Sequence, residues 1–305
     1  MARLHQLEAF RVNQFQAHCR ITQLQFLEPW IQSAPTPPAG NGEILAVIID
    51  DRPSDQLRAC VLNTLLMGWG NWSVRVITAP IALEPMRQLL RDLNPWVKVE
   101  EQRWGTSQEF GWAGCNGLMK SAAFWTSLQA EKVLIFQTDT LIIEPPDPRV
   151  FSYGYVGAPW AKGRVQSECF PSYGNNLERQ NSVWESRGLC GSVPEGAMNG
   201  NGGLSVRHPK LMAQICAEQA NKSPVDEAED LFFARHLPHY DKNPAPTSLV
   251  EGFACETQYR PCSGAHASWR YISAADQAEL YERHIKTVIA RILAVQPKTQ
   301  AQQAT

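Results

Sequence analysis

The polar and apolar positions of this chain alternate in blocks that predict strands and helices in turn. Ile44-Leu45-Ala46-Val47-Ile48-Ile49 is a continuous apolar run that stops at Asp50-Asp51-Arg52-Pro53. Val133-Leu134-Ile135-Phe136 is a second such run, and it stops at Gln137-Thr138-Asp139. Short β-favouring runs of this kind predict strands covered on both faces, as in a mostly parallel sheet. Between them, Ser54 is placed to cap a helix with Leu57, Val61 and Leu65 on one face, ended by Gly68 and Gly70. Trp72–Thr78 reads as a strand, 85–93 as a helix, 97–100 as a short strand and 114–129 as one helix. This alternation predicts an α/β half with helices on a parallel sheet.

The second half has a different texture. Residues 153–160 are short and aromatic, and 161–198 read as a long loop, a candidate lid over an acceptor. A glycine-rich turn at 199–203 runs into a strand ending at Arg207. Helices are expected at 209–220 and 226–236, a last strand at 249–255, and a C-terminal helix at 274–295. Residues 1–42 form a helical appendage and Pro-rich linker that can dock on the main domain or on a partner. The catalytic domain is expected at 43–272, with a C-terminal helix and polar tail at 273–305.

Composition narrows the partners more than the chemistry. The chain has 305 residues, a net charge of -2 and no basic stripe, which argues against nucleic acid as the main partner. The eight cysteines contain no C-x-x-C pair, so reduced thiols in a cytoplasmic protein are the simplest reading. No secretory leader or transmembrane run is legible. The G-x-G-x-x-G and G-x-x-x-x-G-K-[ST] turns of dinucleotide and P-loop enzymes are missing from the sequence.

Four polar constellations remain. Asp139 is delivered to the carboxyl end of a strand, where open α/β sheets bind ligands, and its carboxylate suits a divalent cation; alone it reads equally as a turn cap. Gly200-Asn201-Gly202-Gly203 permits close approach of backbone to a ligand, or is a tight turn. Asp226-Glu227-Ala228-Glu229-Asp230 opens a helix, where its dipole favours acids. His266 lies in Gly264-Ala265-His266-Ala267-Ser268-Trp269. Trp160, Trp184 and Trp269 flank these motifs and suit either sugar rings or ordinary packing.

In order and spacing, F-Q-T-D-T, V-G-A-P-W, G-N-G-G-L-S-V-R, E-D-L-F-F and G-A-H-x-S-W resemble a family of uncharacterised glycosyltransferase-like proteins with the glycosyltransferase-A fold. The resemblance spans roughly residues 44–270. It implies a mixed, mostly parallel sheet flanked by helices and transfer of a sugar from a nucleotide-sugar donor to a glycan, lipid or protein hydroxyl. It also implies Mn²⁺ or Mg²⁺ held by Asp139 and His266, with Gln137 where such folds carry a first aspartate. Asp230, paired with Glu229, becomes the general base of an inverting route. Asp51, Arg52, Lys120, Gly202 and Gly203 fall on the donor side. A nucleotide-sugar-binding protein without turnover and a metal-dependent phosphohydrolase are the alternatives.

Overall fold

The computed structural model describes residues 2–35, 44–159, 199–223, 227–256 and 258–295. In chain order, the helices and strands are α1 (Ala2–Thr22), a π-helical turn (Gln23–Leu27), α2 (Glu28–Ser33), β1 (Ile44–Ile49), α3 (Asp55–Met67), β2 (Trp72–Thr78), α4 (Leu83–Leu89) and β3 (Val97–Glu101). There follow α5 (Gly111–Met119), α6 (Ala122–Ser127), β4 (Lys132–Phe136), β5 (Thr140–Ile142) and β6 (Tyr155–Pro159). After these come β7 (Asn199–Arg207), α7 (Pro209–Gln219), α8 (Glu229–Tyr240), α9 (Thr247–Phe253), β8 (Ala254–Cys255), β9 (Gly264–His266) and α10 (Ala274–Val295).

The main sheet has the order β3-β2-β1-β4-β7-β6. Strands β1 to β4 are parallel, and β7 is antiparallel to both β4 and β6. Helices cover both faces, which gives the mixed, mostly parallel α/β architecture. The two-residue period of a strand explains the continuous apolar runs. Ala46 and Ile48 of β1 join one core with Leu57, Val61 and Leu65 of α3. Leu45, Val47 and Ile49 join the other, with Trp125 of α6, Ile215 of α7 and Phe232 of α8. Each large aliphatic side chain so buried contributes about 1.5–3 kcal/mol.

The first helix of the sheet starts as its cap predicts: Ser54 is extended, and its Oγ accepts from Leu57 N at 3.2 Å. A small second sheet, β5-β9-β8, stands at the end of β4. It has a core of its own, to which Phe15 and Cys19 of α1 and Leu280 of α10 belong. The N-terminal segment is thus docked on the main domain, with Trp30 of α2 buried in the main core. Phe10, Ile21 and Leu24 of the same segment face outward.

Two expectations change. The helix expected over 114–129 is two helices, broken at Lys120-Ser121, where the Trp125 indole donates to the Met119 carbonyl at 2.6 Å. The strand expected over 249–255 is helix α9 followed by only two strand residues. No helix among the described residues is long and apolar enough to cross a membrane. The expected loop 161–198, Trp160, Trp184 and Asp226 lie outside the described residues.

Candidate active site

The chain turns sharply where β4 ends, and Thr140 fixes the turn. Gln137 N donates to Thr140 Oγ1 at 3.1 Å, and Thr140 Oγ1 in turn donates to the Gly203 carbonyl at 3.0 Å. The next three residues form β5, which pairs antiparallel with β9 so that Thr140 lies opposite His266. This short pairing brings His266 to the side chains of the turn, 129 residues earlier in the sequence. Ala267 follows in the left-handed region, at φ 44° and ψ 28°. That conformation costs a non-glycine residue roughly 1–2 kcal/mol. It is held by the bond from Ala267 N to the Asp139 carbonyl at 3.0 Å.

His266 is the hub of the site. Its Nε2 lies 3.1 Å from Asp139 Oδ1 and 3.2 Å from Gln137 Oε1. Its Nδ1 lies 3.3 Å from Glu256 Oε1, which also accepts from Asn201 Nδ2 at 2.8 Å. Asn201 Oδ1 accepts from Gly203 N at 2.8 Å. Burial opposes a charge on His266, but the Asp139 and Glu256 carboxylates outweigh it and push its pKa up to about 10. Burial likewise opposes the charge on Asp139, yet His266 holds its carboxyl below the usual range. The Asp139 side chain remains 34% exposed, although its Oδ1 beside His266 is buried.

The glycines of β7 make room for this hub. Opposite β6 the register jumps from Ser205 paired with Gly157 to Asn201 paired with Ala158, so Gly202 and Gly203 lie in a bulge. A Cβ on Gly203 would overlap the His266 ring, and one on Gly202 would overlap the Glu229 carboxylate.

The acidic helix start is built from a second network. Arg207, fully buried, grips both oxygens of Glu229, at 2.6 and 3.0 Å. Its guanidinium also lies 4.9–5.6 Å from the ring centres of Tyr155, Phe233 and Trp125. Asn116 Oδ1 accepts from Glu229 N at 2.7 Å, and Lys120 Nζ donates to the Glu227 carbonyl at 2.7 Å. Glu229 is therefore engaged in holding the first turn of α8. Asp230 is the partly exposed acid of the pair. Burial, Glu229 and Glu256 push its pKa up to about 7.

The remaining expected residues are spread along the carboxyl end of the sheet. Asp51 Oδ2 accepts from Phe110 N at 2.6 Å and from Gly111 N at 3.3 Å, and so ties the start of α5 to the end of β1. Arg52 forks onto Asp50, at 2.8 and 3.0 Å, with its side chain 77% exposed. Lys120 is buried beneath α8. Trp269 packs on Phe15 of α1, 4.5 Å between ring centres, rather than facing a ligand. Glu256 and Asn201 are site residues that sequence reasoning passed over. The signal for Glu256 was an acid just after the apolar Phe253-Ala254-Cys255. Arg207 was legible only as the polar end of a strand.

The donor set can be tested against a divalent cation. Among the described residues no cluster of three or more His, Cys, Asp or Glu side chains has the arrangement of a metal site. Glu256 faces the opposite nitrogen of His266 from Asp139, so these three acidic and imidazole groups do not converge. Asp139 and Gln137 instead meet the same nitrogen, His266 Nε2. The separations of 3.1 and 3.2 Å about His266 Nε2 match the distance of about 3 Å between neighbouring oxygen or nitrogen ligands of a six-coordinate cation with bonds of about 2.1 Å. Asp139 Oδ1 is buried with no aligned hydrogen bond. Glu256 stands where the second nitrogen of a ligating histidine finds its carboxylate partner. Asp139 and Gln137 offer oxygen donors to a hard divalent ion, and His266 would join them only as the neutral imidazole, after the cation displaced the proton that its carboxylate neighbours stabilise.

No curated protein matches the chain. Solved structures similar to it include mouse xyloside xylosyltransferase 1 in its apo form, at 12% identity over 65% of this chain and 82% of that one, with a TM-score of 0.36. Another is a mannosyltransferase from Pyrobaculum calidifontis in complex with GDP-Man and Mn²⁺, at 11% identity over 99% and 90% of the two chains, also with a TM-score of 0.36. The family described as "Protein of unknown function (DUF5672)" matches residues 101–269, more than half of the chain and the whole stretch from Asp139 to His266, and the chain belongs to that family.

Proposed function

We propose that the protein is a glycosyltransferase that moves a sugar from a nucleotide-sugar donor to an acceptor hydroxyl. The observation that carries this reading is the convergence of Asp139, Gln137 and His266 at the carboxyl end of β4, together with a partly exposed acid, Asp230, whose pKa is raised to about 7.

Asp139, His266 and Gln137 would hold Mn²⁺ or Mg²⁺, and Glu256 would keep the His266 ring oriented through its other nitrogen. When bound, the cation neutralises charge on the leaving diphosphate. Arg52, exposed next to the end of β1, is a cation that could meet a donor phosphate there. Gly202 and Gly203 let the strand pass beneath His266 without a side chain in the way. An acceptor hydroxyl is a poor nucleophile at neutral pH. Asp230, with a pKa near the working range, suits removal of its proton during attack on the anomeric carbon. That role implies inversion at this carbon. Glu229, Arg207, Asn116 and Lys120 act on Asp230 indirectly, by fixing the first turn of α8. Asp51 holds α5 against β1 rather than meeting the donor itself.

Gln137 supports a second reading, a nucleotide-sugar-binding protein without turnover, because an amide brings no charge to the cation. The two separate in one experiment. The full chain is incubated with a panel of nucleotide sugars, Mn²⁺ or Mg²⁺, and mixed glycan, lipid and peptide acceptors, and release of nucleoside diphosphate is followed beside donor binding. Acceptor-dependent release lost in Asp139→Ala and Asp230→Asn supports the transferase. Donor binding with no release supports the second reading. Release of phosphate from simple phosphoesters, with no donor bound, overturns both.

A further inference from the structure

In the small sheet β5-β9-β8, β5 is an edge strand, so one of its edges has no strand beside it. On the edge that faces β9, Ala267 N donates to the Asp139 carbonyl at 3.0 Å. Backbone groups of the alternate residues Thr138, Thr140 and Ile142 turn to the other edge. Buried backbone groups need partners, and here a helix supplies them. Gln56 Nε2 donates to the Thr138 carbonyl at 2.9 Å. Cys60 Sγ lies 3.2 Å from the same carbonyl and 3.5 Å from that of Thr140. Ile142 N donates to Asn63 Oδ1 at 3.0 Å.

Gln56, Cys60 and Asn63 stand at i, i+4 and i+7 of α3 and so share one face of the helix. They make a polar stripe beside the apolar one of Leu57, Val61 and Leu65. Cys60 and Asn63 are buried, and a buried polar group is costly unless it finds a partner. Burial holds the Cys60 pKa well above its usual value, so the thiol keeps its proton and donates it. Asn63 Nδ2 lies 2.9 Å from His284 Nε2, which turns Asn63 Oδ1 towards β5. The helix and the strand edge thus satisfy each other at alternate residues of the strand.

Asp139 lies between Thr138 and Thr140, the two residues whose carbonyls the stripe holds. Its own carbonyl is bonded on the opposite edge. The stretch that carries the carboxylate is therefore held from both sides, with Asp139 Oδ1 3.1 Å from His266 Nε2. We infer that Gln56, Cys60 and Asn63 are positioning residues, which set where the Asp139 carboxylate stands relative to His266. They act through the backbone on either side of Asp139. What the positioned carboxylate binds rests on the transferase reading; the positioning itself does not.

The test uses the full chain and the variants Gln56→Met, Cys60→Ala, Gln56→Met/Cys60→Ala and Cys60→Ser. Amide hydrogen exchange is followed at Thr140 and Ala267, whose N–H groups bond to the Gln137 and Asp139 carbonyls and not to the substituted side chains. Exchange over Ile44–Ile49 reports the fold as a whole. The expected result is exchange faster by roughly tenfold or more at Thr140 and Ala267 in the double variant, as fits the loss of two hydrogen bonds, and unchanged over Ile44–Ile49. Cys60→Ser, whose hydroxyl still donates, should stay near the wild type. Mn²⁺-dependent donor binding, measured on the same proteins by thermal shift, should weaken in the same order. Gln56 is only half-buried, so Gln56→Met decides the matter if the Cys60→Ala proteins fail to fold. Three results overturn the inference. They are unchanged exchange at both amides, exchange that rises equally over Ile44–Ile49, or donor binding kept in full while the turn loosens. If the wild type binds no donor, the transferase reading fails, and the exchange rates still decide the positioning.

Discussion

Gly203 leaves the space that the imidazole of His266 occupies: a Cβ at position 203 would overlap the ring. Gly203→Ala therefore forces His266 away from Asp139 and Gln137 without removing any polar group. Displacement of a positioned group by about 1 Å can cost roughly a hundredfold in rate. The expected outcome is a loss of that order in acceptor-dependent turnover, with the helix content of the wild type. Turnover and metal-dependent donor binding, measured side by side, check it.

Arg207 and Glu229 form a buried pair, and burying one without the other is expensive. Arg207→Met leaves the Glu229 carboxylate without its partner, and about 3–5 kcal/mol of stability should be lost. The double variant Arg207→Met/Glu229→Gln removes the uncompensated charge and should recover part of that loss. Urea unfolding of the two single variants, the double variant and the wild type gives the coupling directly. Because Glu229 holds the start of α8, all three variants should also lose turnover through Asp230.

Asp230 sets a pH dependence of definite sign. Its folded pKa, about 7, lies above the ordinary carboxyl value, so the unfolded chain gives up this proton first. The stability associated with Asp230 is therefore full below about pH 4 and falls as pH rises towards 7. Asp230→Asn should stabilise the protein at pH 8 relative to the wild type and make little difference at pH 4. The same variant should lose turnover at every pH, while wild-type turnover rises through about pH 7 as the base ionises. Melting temperatures at the two pH values and a rate profile test both halves.

Much of the parallel half was legible because its signals are local. Ile44–Ile49 and Val133–Phe136 are buried on both faces, so their apolar runs carry no competing helical period. Ser54 caps α3 through its own side chain, three residues from the amide it serves. The position of Asp139 followed from the end of such a run. The groups missed are those whose partners are distant in sequence. Glu256 and Asn201 meet 55 residues apart, and Arg207 finds Glu229 after 22. Residues 249–255 read as a strand because Leu249, Val250, Phe253 and Ala254 are apolar. They form mostly helix because Val250 and Phe253, three residues apart on one helical face, both reach the core.

The helices at the two ends of the chain should make the fold acid-sensitive. His18 Nε2 and His284 Nδ1 are 2.9 Å apart, and Asn63 Nδ2 lies 2.9 Å from His284 Nε2. Burial lowers the His18 pKa to about 4 and holds His284 well below its usual value, with His18 adding to that shift. Both folded values are depressed, so stability is retained above about pH 6.5 and lost as pH falls through the window down to 4. His18→Phe/His284→Leu should lose less stability than the wild type over that window. The slope of unfolding free energy against pH, taken as the difference between the two proteins, isolates this effect from that of Asp230.

The most direct test of the central claim is a thermal-shift panel of nucleotide sugars on the wild type and Asp139→Ala, each with and without Mn²⁺. A ligand at a hundred times its Kd stabilises the folded state by about 2.7 kcal/mol, a shift easily measured. At least one donor is expected to raise the wild-type melting temperature only when Mn²⁺ is present, and Asp139→Ala should abolish the shift. A panel in which no donor stabilises the wild type, or in which the shift survives in Asp139→Ala, would contradict that claim.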